Sequence, residues 1–423
     1  MLCSARSHAD DKHADDKPSL VLLAAITALA FGALHIVLPA LPIFMRHFDA
    51  GSGPVQLVAA LFLAGIAAGQ LFYGPLSDRF GRRPVLIGGL ILFLAGTLLC
   101  GMAWSLPVLI AGRILEAVGA CAGLVLGRAI LLDVYGRDAA ARGLAIILMT
   151  MTIVPGASPA IGAFLVEWLD WRAIFAVLGV LGAVILGLVV LRLPETNPNR
   201  VRFGFAGMAR SYRTLLRSPE YLAFTLSGSC RTASWFTFAA GVPFILSELL
   251  HQPPSTYASM ILLPMASYML GNGLAARLAP RVGSFRLVLW GRSLALGAAV
   301  GMVSWWWFAE LSLWMLFVPM AVVSFADGLS HPTMMAAALS VHPEITGTAS
   351  GLLGFLQLGA AALGTSVVAA LPQDNALELL VVVCGLIVMA FGFGVFGVTL
   401  AAGRQRNPPA DGAPPLRVAA TLP

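Results

Sequence analysis

Predominantly apolar runs of helical length recur along the whole chain, each closed by a short polar segment. They cover residues 19–41, 55–75, 84–104, 106–129, 144–166 and 173–193, then, after a break, 221–244, 255–276, 287–308, 313–336, 347–371 and 377–402. A helix rising about 1.5 Å per residue crosses a ~30 Å hydrocarbon core in about 20 residues, so each run predicts one span. The arrangement is six spans, a linker and six spans. It predicts an all-α membrane protein with 12 transmembrane helices in two six-helix bundles. The divisions fall at 1–18 (tail), 19–193 (first bundle), 194–220 (linker), 221–402 (second bundle) and 403–423 (tail).

Composition agrees with lipid as the main solvent. Of 423 residues 59% are hydrophobic and 11% charged, too few charges to coat a water-soluble surface, where about 25% is usual. The net charge of +6 implies no nucleic-acid partner, because the arginines sit in short loops between apolar runs rather than in one wet patch. The first run is too long for a signal-peptide core and ends in Pro39 and Pro42 without a small-residue cleavage site, so it reads as a retained span. Before it the sequence HADDK occurs twice in tandem, which reads as a solvated disordered tail rather than a metal site. The five cysteines, Cys3, Cys100, Cys121, Cys230 and Cys384, are scattered and odd in number, against a disulfide framework. No metal or cofactor is expected.

Orientation follows from Lys and Arg, which stay on the cytoplasmic side of short loops. With the N-terminus inside, twenty of these residues fall on inner segments, and only Arg46 and Arg172 on outer ones. Both termini are then cytoplasmic. The basic stretch 208–217 in the linker predicts a helix lying on the anionic inner leaflet. Trp305 to Trp307 read as an interfacial belt.

The two halves echo each other. GPLSDRFGRRPVL follows the second span and RLAPRVGSFRLVL the eighth, aligning Arg79, Gly81 and Arg82 with Arg281, Gly283 and a displaced Arg286. This weak internal repeat points to pseudo-symmetric halves. In the first copy, Gly74 lets a helix end approach its neighbour and Gly81 permits a tight reversal. Asp78 among Arg79, Arg82 and Arg83 forms a breakable ionic clasp.

These ten residues, Gly74 to Arg83, resemble the cytoplasmic loop signature of the major facilitator superfamily. The segment RILEAVGACAGLVLGRAILLDVYG, from Arg113 on, resembles the fourth-helix motif of its drug:proton antiporters. Arg128, Asp133 and Tyr135, with WRAIF at Trp171 and LPALP at Leu38, resemble the Bcr/CflA subgroup of bicyclomycin and chloramphenicol exporters. VPGASPAIGAF, from Val154 on, is similar to the antiporter motif of the fifth helix, with Ser158 in place of a glycine before Pro159. The resemblance implies a central cavity between the bundles and a gating role for Gly74, Asp78, Arg79, Gly81, Arg82, Arg83, Arg128, Asp133 and Pro159. It also implies that His35 and Glu116 stand where relatives carry aspartate and glutamine.

Charged groups deep in lipid cost roughly 2.5–3.5 kcal/mol each on insertion scales, so each is a functional candidate. They are Arg113, Glu116 and Arg128 in span four, Arg231 in span seven, Arg292 in span nine and Asp327 in span ten, with His35 in span one. Counting residues puts His35 about 8 Å below the outer face, Arg113 about 10 Å and Glu116 about 15 Å, one level of a cavity. Arg113 and Glu116, three apart, project to one side and can pair. Glu116 is the first candidate proton carrier and His35 its rival; Arg113 and Asp327 complete the coupling set. Asp327 and Arg231 can neutralise each other, whereas Arg292, near the basic loop, is expected to snorkel. His35, Arg231, Trp235, Phe236, Phe238, Tyr268 and Gln357 are the candidate lining of an amphipathic substrate site.

With no G-x-x-x-x-G-K-[ST] loop, the energy source is an ion gradient. The leading expectation is a monomeric secondary transporter of the bacterial inner membrane, exporting small amphipathic compounds such as antibiotics by proton antiport. The alternative is a proton symporter importing a metabolite. An intramembrane enzyme is not expected, since the seven histidines form no H-E-x-x-H or other catalytic set in the spans.

Overall fold

In hydrocarbon a chain must satisfy its backbone N–H and C=O groups within the same segment, and helices do so. The computed structural model describes residues 19–197, 205–342, 345–370 and 375–406; the HADDK tail lies outside them. Among the described residues ten helices are long and apolar enough to cross a membrane. The first half contains α1 (Leu20–His35), α2 (Leu41–His47), α3 (Ser52–Phe80), α4 (Arg82–Gly101), α5 (Leu106–Trp168) and α6 (Arg172–Arg192). After α7 (Phe205–Arg217) come α8 (Pro219–Phe244), α9 (Pro254–Met260), α10 (Leu262–Val282), α11 (Ser284–Trp305), α12 (Leu313–Ser340), α13 (Thr346–Ala369) and α14 (Leu377–Arg406). Pro39 and Pro42 interrupt the first span, which passes through a 3-10 turn at Leu38–Ala40 into α2.

Two differences from the sequence pattern have physical causes. Spans four and five are assigned as the single helical element α5, with Pro155 and Pro159 inside it. Its arms nevertheless fold back. Gly123 packs on Ile26 and Gly127 on Leu23 and Thr27, whereas Val154 and Ser158 meet Gly32 and Gly162 meets Ile36. A straight helix would separate Gly123 from Gly162 by about 58 Å, and positions 26 to 36 of α1 cover only about 15 Å. The chain therefore reverses between Leu131 and Thr150, which gives two crossings. The second difference is α8, a crossing that is not among the ten apolar helices because it carries Ser227, Ser229, Thr232, Ser234 and Arg231. None of its residues from Tyr221 to Leu246 is exposed. Surrounded by protein instead of lipid, it needs partners for polar groups rather than a greasy surface. Ser229 donates to Thr225 O at 2.8 Å, Thr232 to Gly228 O at 2.9 Å and Ser227 to Ala390 O at 2.5 Å. With these two, the fold has 12 transmembrane helices in two bundles.

The helix ends carrying Arg79, Arg82, Arg83, Arg281 and Arg286 form the end of the molecule here termed the basic face. Trp104, Trp168, Trp307 and Trp314 stand exposed at the opposite end, where amphipathic rings suit a membrane interface. Helix α7 docks at the basic face through buried Leu215, which packs with Tyr221, Phe224 and Val288, while Arg210, Arg213 and Arg217 stay exposed.

The internal repeat has a backbone counterpart. Gly81 (φ 101°) and Gly283 (φ 90°) are the two positive-φ glycines among the described residues, and each is the N-cap that opens a helix, α4 or α11. Beyond glycine this region is nearly closed to L-residues. At Gly81 a side chain would also strike the Glu195 carboxylate, which accepts from the Arg82 and Arg83 backbone N–H groups at 2.9 and 3.2 Å. An acid there satisfies orphan donors and the positive end of the α4 dipole. Gly81→Ala is expected to lower the thermal midpoint of the purified protein by the equivalent of roughly 1–3 kcal/mol, and Gly283→Ala to lower it also. Wild-type midpoints in both variants would show that the turns accept a side chain.

Candidate functional site

In the first half, Arg113 and Glu116 are both fully buried and paired, Nη1 to Oε2, at 2.7 Å. Their spacing of three on α5 aligns them on one face. Three neighbouring elements hold the pair. Thr97 of α4 donates to Glu116 Oε1 at 3.0 Å. Arg113 Nη1 also donates to Ala33 O of α1 at 3.1 Å, and the guanidinium lies 3.8 Å from the Phe62 ring centre of α3. Gly96 allows this assembly, because a Cβ there would collide with the Glu116 backbone. The Arg113 Nε and Nη2 groups are buried without hydrogen-bond partners. His35, two residues beyond Ala33, is buried. Its Nδ1 donates to Phe31 O at 2.8 Å, which leaves Nε2 as the acceptor.

The second half holds a different cluster. Asp327 Oδ1 accepts from Arg292 Nη1 at 3.1 Å, and its Oδ2 lies 3.1 Å from Arg231 Nε. Arg292 is 2% exposed and also reaches Met334 Sδ at 3.4 Å. The expectation that Arg292 snorkels is thus corrected. The carboxylate of Asp327 on the neighbouring helix offers a strong partner inside, so the side chain turns inward rather than toward the basic face. Arg231 keeps 17% of its side chain open and lies 5.3 Å from the Tyr268 ring centre.

The halves meet along a seam. His35 faces Phe236 with ring centres 5.7 Å apart. Gly354 abuts Gln70, Gly156 abuts Met265 and Gly53 abuts the Ala369 carbonyl; at the end opposite the basic face Ser255 N donates to Glu167 Oε1 at 2.6 Å. Trp235 is partly open on the same face of α8 as Arg231, and Gln357 lies against Gly228 beside His331. Phe238 is a correction to the expected lining. It is fully buried and packs edge-to-face on Phe317 at 5.7 Å, because two residues along a helix turn it about 200° from Phe236.

At the basic face Arg82 ties α3 to α5, with Nη1 2.6 Å from Asp78 Oδ1, Nε 3.0 Å from Asp133 Oδ2, and a further donation to Ser77. Arg83 donates to Val190 O of α6 at 2.7 Å, and Arg79 stacks over Phe80 at 5.0 Å. The described clasp lies wholly within the first half. The expected close approach at Gly74 is absent here, since nothing lies within 4 Å of where its Cβ would be. Arg128 is half-buried on α5. Ser158 donates to Val154 O and faces Gly32, and Pro159 follows it inside α5.

Sequence reasoning missed Glu195, Thr97, Phe62 and His331. Only His331 carried a signal, standing four residues after Asp327 on the same helical face.

Residues 22–365 match the profile described as Major Facilitator Superfamily. Multidrug resistance protein D of Escherichia coli (strain K12) is 30% identical across 88% of this chain and 93% of its own. The chloramphenicol resistance protein of Pseudomonas aeruginosa is 28% identical (88% and 89%). A bicyclomycin resistance protein homolog of Haemophilus influenzae is 26% identical (85% and 91%). Among solved structures, a bacterial homolog of the human lysosomal transporter Spinster, inward-facing and unoccupied, aligns with a TM-score of 0.67. It covers 90% of this chain and 96% of that one at 16% identity, a likeness of fold.

Removing one member of a dry ion pair strands the other, at about 3–5 kcal/mol, whereas an apolar pair of similar volume is tolerated. Arg113→Ala is therefore expected to lower the thermal midpoint or the yield of monodisperse protein sharply, and Arg113→Met with Glu116→Leu to restore most of it. A single variant as stable as the double one would contradict this account of the pair.

Proposed function

The chain belongs to the Major Facilitator Superfamily, and on that premise we propose that it exports small amphipathic compounds, antibiotics among them, in exchange for inward-moving protons. The observation that carries the reading is the sealed Arg113–Glu116 pair, which touches α1 two residues from His35 at the seam. The relatives named for multidrug, chloramphenicol and bicyclomycin resistance support the cargo class. Like other members of the family, the chain is a multi-pass membrane transporter and not an enzyme.

In this reading Glu116 carries the proton. While it is ionised, Arg113 is held to α5, α4 and α1 together. Protonation removes the only carboxylate touching the buried guanidinium among the described contacts, and an unpaired cation in a dry site is unstable. Arg113 then shifts toward water, releasing Ala33 O and loosening α1, the helix that presents His35 to Phe236. Proton uptake on one side thereby biases which way the halves rock. His35, Trp235, Phe236, Tyr268 and Gln357 form the aromatic and polar lining for the cargo.

The seam contacts support alternating access. Helices α3 and α13 touch at Gln70 with Gly351 and Gly354, yet one turn nearer the basic face Gly74 and Gly347 both have open space. The opposite end is joined by Gly53 with Ala369 and by Glu167 with Ser255. With the basic face cytoplasmic, as the positive-inside rule requires, this is an inward-facing state of a bacterial inner-membrane protein with both termini in the cytoplasm. Gly74 and Gly347 close on each other in the outward-facing state. The protein works as a monomer, with lipid around it and no nucleic-acid partner.

Cells producing the protein are expected to accumulate less of a labelled antibiotic than control cells, and to lose that difference when an uncoupler collapses the gradient. Higher accumulation in energised cells than in uncoupled ones would favour import instead. In proteoliposomes Glu116→Gln is expected to abolish the response of flux to an imposed pH gradient; wild-type gradient dependence in this variant would move the proton to another group. Gly74→Leu, whose side chain has room in the inward-facing state, is expected to fold normally and to lose at least about tenfold in transport rate by blocking closure. Wild-type rates in it would remove the gating assignment.

A further inference from the structure

The two buried clusters differ in charge. Arg113 and Glu116 cancel, but Arg231 and Arg292 share the single carboxylate of Asp327, which leaves one net positive charge. Along α8, α10, α11, α12 and α13 the acids are Glu220, at the basic-face end of α8, and Asp327. Helix α13 has no charged residue at all. The excess charge therefore lacks a counter-ion among the described residues in the middle of these helices, where an uncompensated cation is costly. Polar atoms are unmatched as well: the donors Arg231 Nε, close to Asp327 but misaligned for a hydrogen bond, and Arg292 Nη2 are buried without partners, as is the ring nitrogen Nδ1 of His331.

The cluster borders the seam between the halves. Tyr268, against Arg231, stands one turn from Met265, which touches Gly156 of the first half. Gln357, near His331 and Gly228, stands one turn from Gly354, which touches Gln70. Arg231 itself is partly open, as is Trp235 one turn along α8. Asp327 is close to midway along α12, so the site lies near the middle of the bilayer.

We propose that Arg231, backed by Arg292 and Asp327, is an anion subsite, and that the preferred cargo is an amphipath bearing a carboxylate or similar monoanion, its apolar part lying against Trp235 and Phe236. The anion supplies the missing counter-charge and accepts from guanidinium groups, whose fork suits carboxylates. Asp327 keeps Arg231 from being stranded when the site is empty. This inference rests on the transport reading for its biological use, although binding is measured apart from flux.

The test compares naphthoate, neutral naphthamide and naphthyltrimethylammonium, titrated calorimetrically against the full-length protein in nanodiscs of zwitterionic lipid. Wild type is expected to bind naphthoate at least about tenfold tighter than the other two, the size of one lost charged hydrogen bond. Arg231→Gln should erase the preference and Arg231→Lys should keep most of it. If Arg231→Gln does not fold, Arg231→Met, which fills the same space and likewise leaves Arg292 balanced by Asp327, should give the same loss. Failure of naphthoate to bind, preference for the amide or the cation, or a naphthoate preference that survives loss of Arg231 overturns the proposal. Proton-driven flux of the three probes in proteoliposomes separates the two readings. Naphthoate that binds as expected but does not move with the gradient sinks export and leaves the anion subsite standing. Gradient-driven movement of the amide or the cation without naphthoate binding does the reverse.

Discussion

An ionised side chain placed in hydrocarbon must find its counter-charge inside the protein, because neither lipid nor bulk water supplies one there. That constraint decides much of this architecture. Arg113 and Glu116 are tolerated at zero exposure because Thr97, Ala33 and the Phe62 face complete their contacts. Arg292 turns away from the basic loop for the same reason. Helix α8 departs from the apolar composition of its neighbours because it is enclosed by them, and the hydroxyls of Ser227, Ser229, Thr232 and Ser234 bond to backbone carbonyls instead of facing lipid.

The same constraint makes the charged groups suitable as switches. A surface ion pair is worth little and changes little when one partner is neutralised. A dry pair shared by three helices is different, since neutralising one member removes a contact that no solvent replaces. The first-half pair joins α5 to α1 and α4, so in the proposed coupling a change in its charge bears on three helices rather than on one side chain. The second-half cluster is built on the opposite plan, with two cations for one anion and part of Arg231 open. Among the described residues one half holds a balanced pair and the other half holds two arginines on one carboxylate. That asymmetry sits beside a repeated backbone feature, the paired positive-φ glycines at 81 and 283.

Rigid halves and a small-residue seam fit together mechanically. The clasp of Arg82 with Asp78 and Asp133, and the cap of Glu195 on α4, bind elements of the first half to each other. Across the seam the contacts instead rely on Gly53, Gly156 and Gly354, which make room for the Ala369 carbonyl, the Met265 thioether and the Gln70 side chain of the facing half.

The number of crossings, their division into two halves and the basic end were legible in the chain, because about 20 apolar residues and short-loop arginines are local properties set by the bilayer. The pairing of Arg113 with Glu116 was legible too, since three residues on one helix lie on one face whatever surrounds them. Of the partners separated widely in sequence, Arg231 with Asp327 was anticipated from their charges, and the others were not. Glu195 meets the α4 N-terminus, Arg292 meets Asp327, and Phe62 lies under Arg113, each through a packing of helices that no local pattern encodes. Likewise Phe236 and Phe238 read alike as aromatic residues of one span, and only the rotation of α8 in the bundle puts one at the seam and the other in the core. Hydrophobic spacing determines that a helix crosses the membrane, and the tertiary packing decides which way most of its faces look, because the same apolar side chains serve a lipid-facing surface and a packed interior.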